Sequence, residues 1–141
     1  LLLERGADVN AQGGRYGNAL QAAIEKGNES VVPLLLDHGA NLNVQNGSYG
    51  NALHGAATNG HESVVRLLLD RGAEVNTQGG HYGNALQAAA VEGNESVVRL
   101  LLDRGAEVNA QGGRYGNALQ AAKALGHESI VQFLITRGAA S

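Results

Sequence analysis

"NALQAAAVEGNESVVRLLLDRGA", Asn84 to Ala106, is the stretch whose reading decides the fold. Asn84 suits a helix N-cap, because its side-chain oxygen is free to accept from the N–H groups of the first turn. Ala85–Glu92 is a run of strong helix formers, and Gly93 ends it. Asn94 opens a second helix over Glu95–Asp103, with Glu95 favourably placed at its positive end. Arg104 falls in the last turn, and Gly105 takes the left-handed position beyond it. Neither helix is long enough to stand alone, so neighbouring segments must cover the Leu and Val faces.

The chain supplies those neighbours. Its four tyrosines, Tyr16, Tyr49, Tyr82 and Tyr115, are 33 residues apart. That period lays out four full units, 8–40, 41–73, 74–106 and 107–139, after a partial unit 1–7, all in one repeat domain 1–141. Units three and four agree at 22 of 33 positions. A period of this size signals stacked supersecondary units, so the expected fold is an all-α repeat solenoid. Composition agrees: 43% of residues are hydrophobic but only 4% aromatic, so Leu, Val and Ala must fill the interior of closely packed helices. The formal charge of −3 argues against a nucleic-acid partner. With no cysteine there is no disulfide framework or thiolate chemistry. No apolar run approaches a membrane span. No Ser–His–acid set, paired carboxylates or Walker-type lysine stands out, so neither an enzyme nor a cofactor is expected. His54 lacks a second ligand at metal-binding spacing, and a turn-capping role suits it better. The chain opens on "LLLERGA", partway through a unit, and reads as an excerpt of a longer cytoplasmic or nuclear protein. Lys123, at a position that is Ile24, Ala57 or Ala90 elsewhere, suits an exposed end, so unit four is expected near the C-terminal cap.

A glycine-rich loop precedes each first helix: "GGRYGNAL", "NGSYGNAL", "GGHYGNAL", "GGRYGNAL". One such loop would suggest a phosphate cradle; four at fixed spacing point to a structural turn. Its tips are Gly13–Gly14, Asn46–Gly47, Gly79–Gly80 and Gly112–Gly113. The single Gly-to-Asn exchange predicts a type I′ turn, which needs two successive positive φ values. Asn18, Asn51, Asn84 and Asn117 are the expected N-caps. Tyr16, Tyr49, Tyr82 and Tyr115 read as a packed ladder along the loops, with a repeated aromatic contact surface as the alternative. Arg66, Arg71, Arg99 and Arg104 are expected to pair with Asp70, Asp103, Glu74 and Glu107 rather than form an anion-binding stripe. Pro33, in the first turns of a second helix, predicts mild local distortion.

"NALHGAATNGHESVVRLLLDRGA", Asn51 to Ala73, closely resembles the ankyrin repeat pattern, which runs "TPLHxAA" through the first helix and "GHxxVVxLLLxxGA" through the second. Asn and Ala stand where Thr and Pro are usual, and Gln21, Gln87 and Gln120 where His is usual. The "QGGxYG" loop is similar to the repeats at the C-terminal ends of fungal signalling ATPases of the NACHT class. Asn10, Asn43, Asn76 and Asn109 resemble hydroxylated asparagines of ankyrin repeats, though an Asn bonding to turn backbone comes first. The resemblance implies hairpin fingers that, with the first helices, line a concave face for binding another protein. Positions that change between units mark its candidate contacts: Arg15, Ser48, His81 and Arg114 before each tyrosine, then Lys26, Asn59 and Glu92 at first-helix ends. End-to-end self-association, a structural spacer and an engineered repeat scaffold are the alternatives.

Overall fold

The computed structural model describes residues 19–45 and 50–140. Among them, eight helices follow one another in four pairs. The first helices are α1 (Ala19–Glu25), α3 (Ala52–Asn59), α5 (Ala85–Glu92) and α7 (Ala118–Ala124). The second helices are α2 (Val31–Asp37), α4 (Glu62–Asp70), α6 (Glu95–Asp103) and α8 (Glu128–Thr136). The odd-numbered helices pack in sequence, α1 on α3, α3 on α5 and α5 on α7. Behind them α4 packs on α6 and α6 on α8, and each helix also meets its own partner. This is an all-α repeat solenoid.

The two rows are built from different residues for a physical reason. The inner first helices α3 and α5 lie between neighbours on both sides, so they bury nearly all round. In α5 every residue from Ala85 to Val91 is buried. Alanine is what lets helices approach closely on two faces at once, since packing must reach crystal-like density without voids. Second helices bury one stripe only. In α4 it is Val64, Val65, Leu68 and Leu69, while Arg66 and Asp70 stay exposed.

Local signals set the ends. Asn51, Asn84 and Asn117 each accept from the backbone N–H three residues on, in α3, α5 and α7. Asn18 lies outside the described residues. Beyond α6, Gly105 has φ of +100°; its N–H reaches Leu102 O and the Ala106 N–H reaches Leu101 O at 2.9 Å, the Schellman pattern. Arg104 is the C-cap rather than a last-turn residue, and its guanidinium turns to Asp70 of the preceding pair at 2.8 Å.

Pro33 acts through hydrogen bonding. Helix α2 starts at Val31, whereas α4, α6 and α8 start two positions earlier in their units. Proline has no N–H to bond Glu29 O, and Ser30 keeps helical angles (φ −70°, ψ −24°). The chain follows the helical path, but its ladder begins late.

Asn94 does not cap its own helix. Its side chain makes no cap hydrogen bond; Nδ2 donates to Ala57 O at 2.9 Å and Thr58 O at 3.2 Å. These carbonyls lie near the C-terminal end of α3, where the helix leaves acceptors without internal partners. His127 repeats the device, its Nε2–H donating to Val91 O at 2.9 Å near the end of α5. The position works backwards, onto the preceding pair.

The ion pairs also cross between pairs. Arg71–Asp37, Arg104–Asp70 and Arg137–Asp103 recur at 2.9, 2.8 and 3.2 Å. Arg66 and Arg99 bind Glu62 and Glu95 within their own helices, not Glu74 and Glu107 as expected. A residue four positions back lies on the same helical face, whereas Glu74 and Glu107 lie beyond the helix end. Asn76 and Asn109 hold the turn of the following pair: Asn76 Nδ2 donates to Gly105 O, and its Oδ1 accepts from Glu107 N–H.

Candidate functional site

Two glycine loops are described in full, and they correct the expected turn. Gly79 N–H donates to Gly83 O at 2.8 Å, and Gly112 N–H to Gly116 O at 2.8 Å. Each bond closes a five-residue loop, so the apex is Gly80–His81–Tyr82 or Gly113–Arg114–Tyr115 rather than a Gly–Gly pair. Gly80 has a positive φ of 73° while Gly79 does not, which excludes a type I′ turn at Gly79–Gly80. At Gly112 φ is 151°, with 67° at Gly113, and 151° lies far from the left-handed well. The fingers are not β-hairpins: the described residues hold only the isolated bridge Gly112–Gly116. Gly13–Gly14 and Asn46–Gly47 lie outside the described residues.

Successive loops meet through main chain. Arg114 N–H reaches His81 O at 3.3 Å. A Cβ on Gly83 would stand 2.9 Å from Gly112 C, and one on Gly113 would collide with the Tyr82 carbonyl. Gly83 and Gly113 thus combine a positive φ with a close approach that leaves no room for a side chain. The tyrosine ladder is also corrected: among the described residues no two tyrosine rings are paired. Tyr82 meets the His81 ring edge-on at 5.2 Å, and its hydroxyl donates to Glu92 at 3.4 Å. Arg114 lies over the Tyr115 ring at 5.6 Å, and both tyrosines pack on the core. Tyr16 and Tyr49 lie outside the described residues.

In the first three pairs one buried side chain ties the first helix to the following turn or loop. Asn51 N–H donates to His54 Nδ1 at 3.0 Å, and the His54 N–H to Asn51 Oδ1, closing a reciprocal capping box. Because Nδ1 accepts, the ring proton sits on Nε2, which donates to Thr77 O at 3.0 Å. His54 is therefore held neutral; burial pushes its pKa below the ordinary value, against the smaller upward pull of Thr77 O. In α5 the same place is Gln87, wholly buried, whose Nε2 donates to Gly112 O at 2.9 Å. Gln87 Oε1 is buried without a partner, so this box stays half closed. Gln21 Nε2 reaches Gly50 O at 2.9 Å in the same manner.

The candidate contacts fall along the edge this frame creates. His81 and Arg114 are exposed at successive loop apices, with Arg114 Nη1 3.5 Å from His81 Nε2. Lys26, Asn59 and Glu92 are exposed at first-helix ends. Asn59 Nδ2 donates to Glu25 at 3.3 Å. Arg15 and Ser48 lie outside the described residues. Between loop and helices is a cleft of about 330 Å³, lined by Glu25, His54, Gly55, Thr58, Tyr82 and Asn84 among others. The cleft itself escaped sequence reasoning; Glu25 and Gly55 stand out in the sequence as departures from the repeat, where other units have Thr58, Val91, Ala124 and Ala22, Ala88, Ala121. Among the described residues no group of His, Asp and Glu is arranged to hold a metal ion, and no helix is long and apolar enough to cross a membrane.

No curated protein matches the chain. A family model described as "Ankyrin repeats (3 copies)" matches residues 1–79 and again 80–140. With nearly the whole length matched, and with paired short helices stacked through buried caps and glycine loops, the chain belongs to the ankyrin repeat family.

Proposed function

We propose that this chain is a non-enzymatic protein-binding module whose partner lies along the loop apices and first-helix ends. Ankyrin repeats are generally protein–protein interaction modules. One observation carries the reading: the residues that vary between units, His81, Arg114, Lys26, Asn59 and Glu92, are exposed, while the caps Asn51 and Asn84 are buried and hydrogen-bonded. A partner that meets side chains on a preordered frame has little backbone to immobilise. Arg15 and Ser48 complete the set on the sequence pattern. The units 8–40, 41–73, 74–106 and 107–139 are its modules, in a cytoplasmic or nuclear protein. The glycine-rich loop supports a role as the regulatory end of a larger signalling ATPase of the fungal NACHT kind.

The test is recovery of partners from source lysate by the chain and by a variant with alanine at His81, Arg114 and Asn59. A variant with alanine at Arg66 and Arg99, on the second helices, is the control. Loss in the first alone is the expected result; equal recovery by all three sinks the assignment. A self-associating stack is the second reading, favoured by Leu125 and Ile135, 43% and 45% exposed on the last pair. Light scattering across concentration separates the two, since a strictly monomeric chain removes it.

A further inference from the structure

The cleft between the Gly79–Tyr82 loop and the first helices departs from the repeat at two coupled places. Gly55 lies inside helix α3, where the matching residues are Ala22, Ala88 and Ala121. Glycine in a helix interior costs about 1 kcal/mol against alanine, and here φ is ordinary, so no backbone conformation calls for it. What it makes is room. A Cβ at Gly55 would stand 3.0 Å from Glu25 Oε1, so the carboxylate of α1 lies directly over α3. Glu25 forms no ion pair among the described residues; Asn59 gives it one long hydrogen bond. Tyr82 and His81 also line the cleft. The Nε2 of His81 faces Arg114, and Arg114 is not among the lining residues.

A part-buried carboxylate without an ion pair, in a cleft that an aromatic ring also lines, is complementary to a planar cation. At about 330 Å³ the cleft is at the small end of ligand sites, which run from about 300 Å³ upwards. It suits one side chain rather than a cofactor. We propose that it is an anchoring subsite for an arginine side chain of the partner protein. The guanidinium donates to Glu25 over Gly55, in the forked geometry that arginine makes with carboxylates, and its face or stem lies against Tyr82. This rests on the protein-binding reading and names the chemistry of one contact within it.

The probe is N-acetyl-arginine methylamide, titrated into the 141-residue chain while amide shifts are followed by NMR, with the capped lysine and the neutral capped citrulline alongside. Saturable shifts at Gly55, Thr58, Gly79 and Gly80 with the arginine probe support the subsite. Citrulline should bind about tenfold more weakly or worse, as should arginine to Glu25→Gln, because a charge-assisted pair is lost. Gly55→Ala, whose folding the same spectra report, should also lose the probe. Citrulline binding equally, Glu25→Gln binding unchanged, or lysine binding more tightly than arginine would each overturn it. The probe reads the cleft alone. Cleft shifts with no partner recovered would refute the protein-binding reading and leave the subsite; the reverse would refute the subsite and leave the reading.

Discussion

His54 Nε2 lies 3.0 Å from the carbonyl oxygen of Thr77, a residue 23 positions on in the next repeat. Its other ring nitrogen is fixed as an acceptor by Asn51 N–H, so the imidazole joins two repeats only while neutral. Its pKa is lowered in the fold. Below the unfolded value of about 6.5 the unfolded chain takes up the proton first, so this group's stability is full above that pH and is lost as pH falls towards the folded value. Urea unfolding of the chain and of His54→Gln should show a stability difference that shrinks between pH 7.5 and pH 5.5. A difference independent of pH would mean that the ring protonates without breaking the capping box.

Gln87 takes the same place in α5 and leaves Oε1 buried without a partner. The Gln87→His substitution should close the box on Asn84 N–H while Nε2 reaches the following repeat. It gives up the bond to Gly112 O but removes the orphan acceptor. The expected gain is on the order of 1 kcal/mol, read by denaturant unfolding at pH 7.5, with a new loss at acid pH. A lower midpoint would show that the tie to the glycine loop outweighs the cap.

At Gly55 stability and binding should part company. The atom that a new Cβ meets is the end of a flexible side chain, Glu25 Oε1 at 3.0 Å, with Ile24 Cγ2 at 3.6 Å. Glu25 can swing aside, and alanine brings up to about 1 kcal/mol of helix propensity. Gly55→Ala should therefore raise the melting temperature while it fills the cleft. A fall would show that Glu25 does not swing aside without loss.

Pro33 stands where the other units have Arg66, Arg99 and Gln132. Pro33→Arg should restore the N–H that Glu29 O lacks and start α2 two residues earlier. About 0.5–1 kcal/mol of stability is expected, together with slower amide exchange in the first turn of α2. Unchanged exchange there would assign the short helix to another cause.

Much of the helix pattern was legible because its determinants are local. Ala85–Glu92 and Glu95–Asp103 are bounded by residues within one or two positions of their ends, and such signals do not depend on what lies next door. Asn94 acts across a repeat boundary, whereas Arg66 and Arg99 turn back along their own helices. Asn94 bonds 36 and 37 positions back, and Arg104 bonds 34 back. Reading within one unit gave Asn94 the α6 N-cap as its role, whereas Asp70 was already among the acids expected to pair with the arginines. The loops were misjudged for a related reason. Gly-Gly signalled positive φ, which Gly80, Gly112 and Gly113 do adopt, but not that Gly83 and Gly113 also make room for the adjoining loop. The cleft needs three successive units, which no single motif describes.

The Asp–Arg contacts Asp37–Arg71, Asp70–Arg104 and Asp103–Arg137 share one sequence offset. Excision of residues 74–106 would bring Asp70 and Arg137 to that same offset, and duplication of them would create one more such pair. The joints are thus interchangeable, and the array can change in copy number by recombination between units without any new interface having to evolve. Stability in such an array is a sum over units and their nearest-neighbour contacts. What a whole-unit exchange would alter is the proposed contact edge: removal of 74–106 takes away His81 and Glu92 in one event and sets the surface of one unit beside that of another.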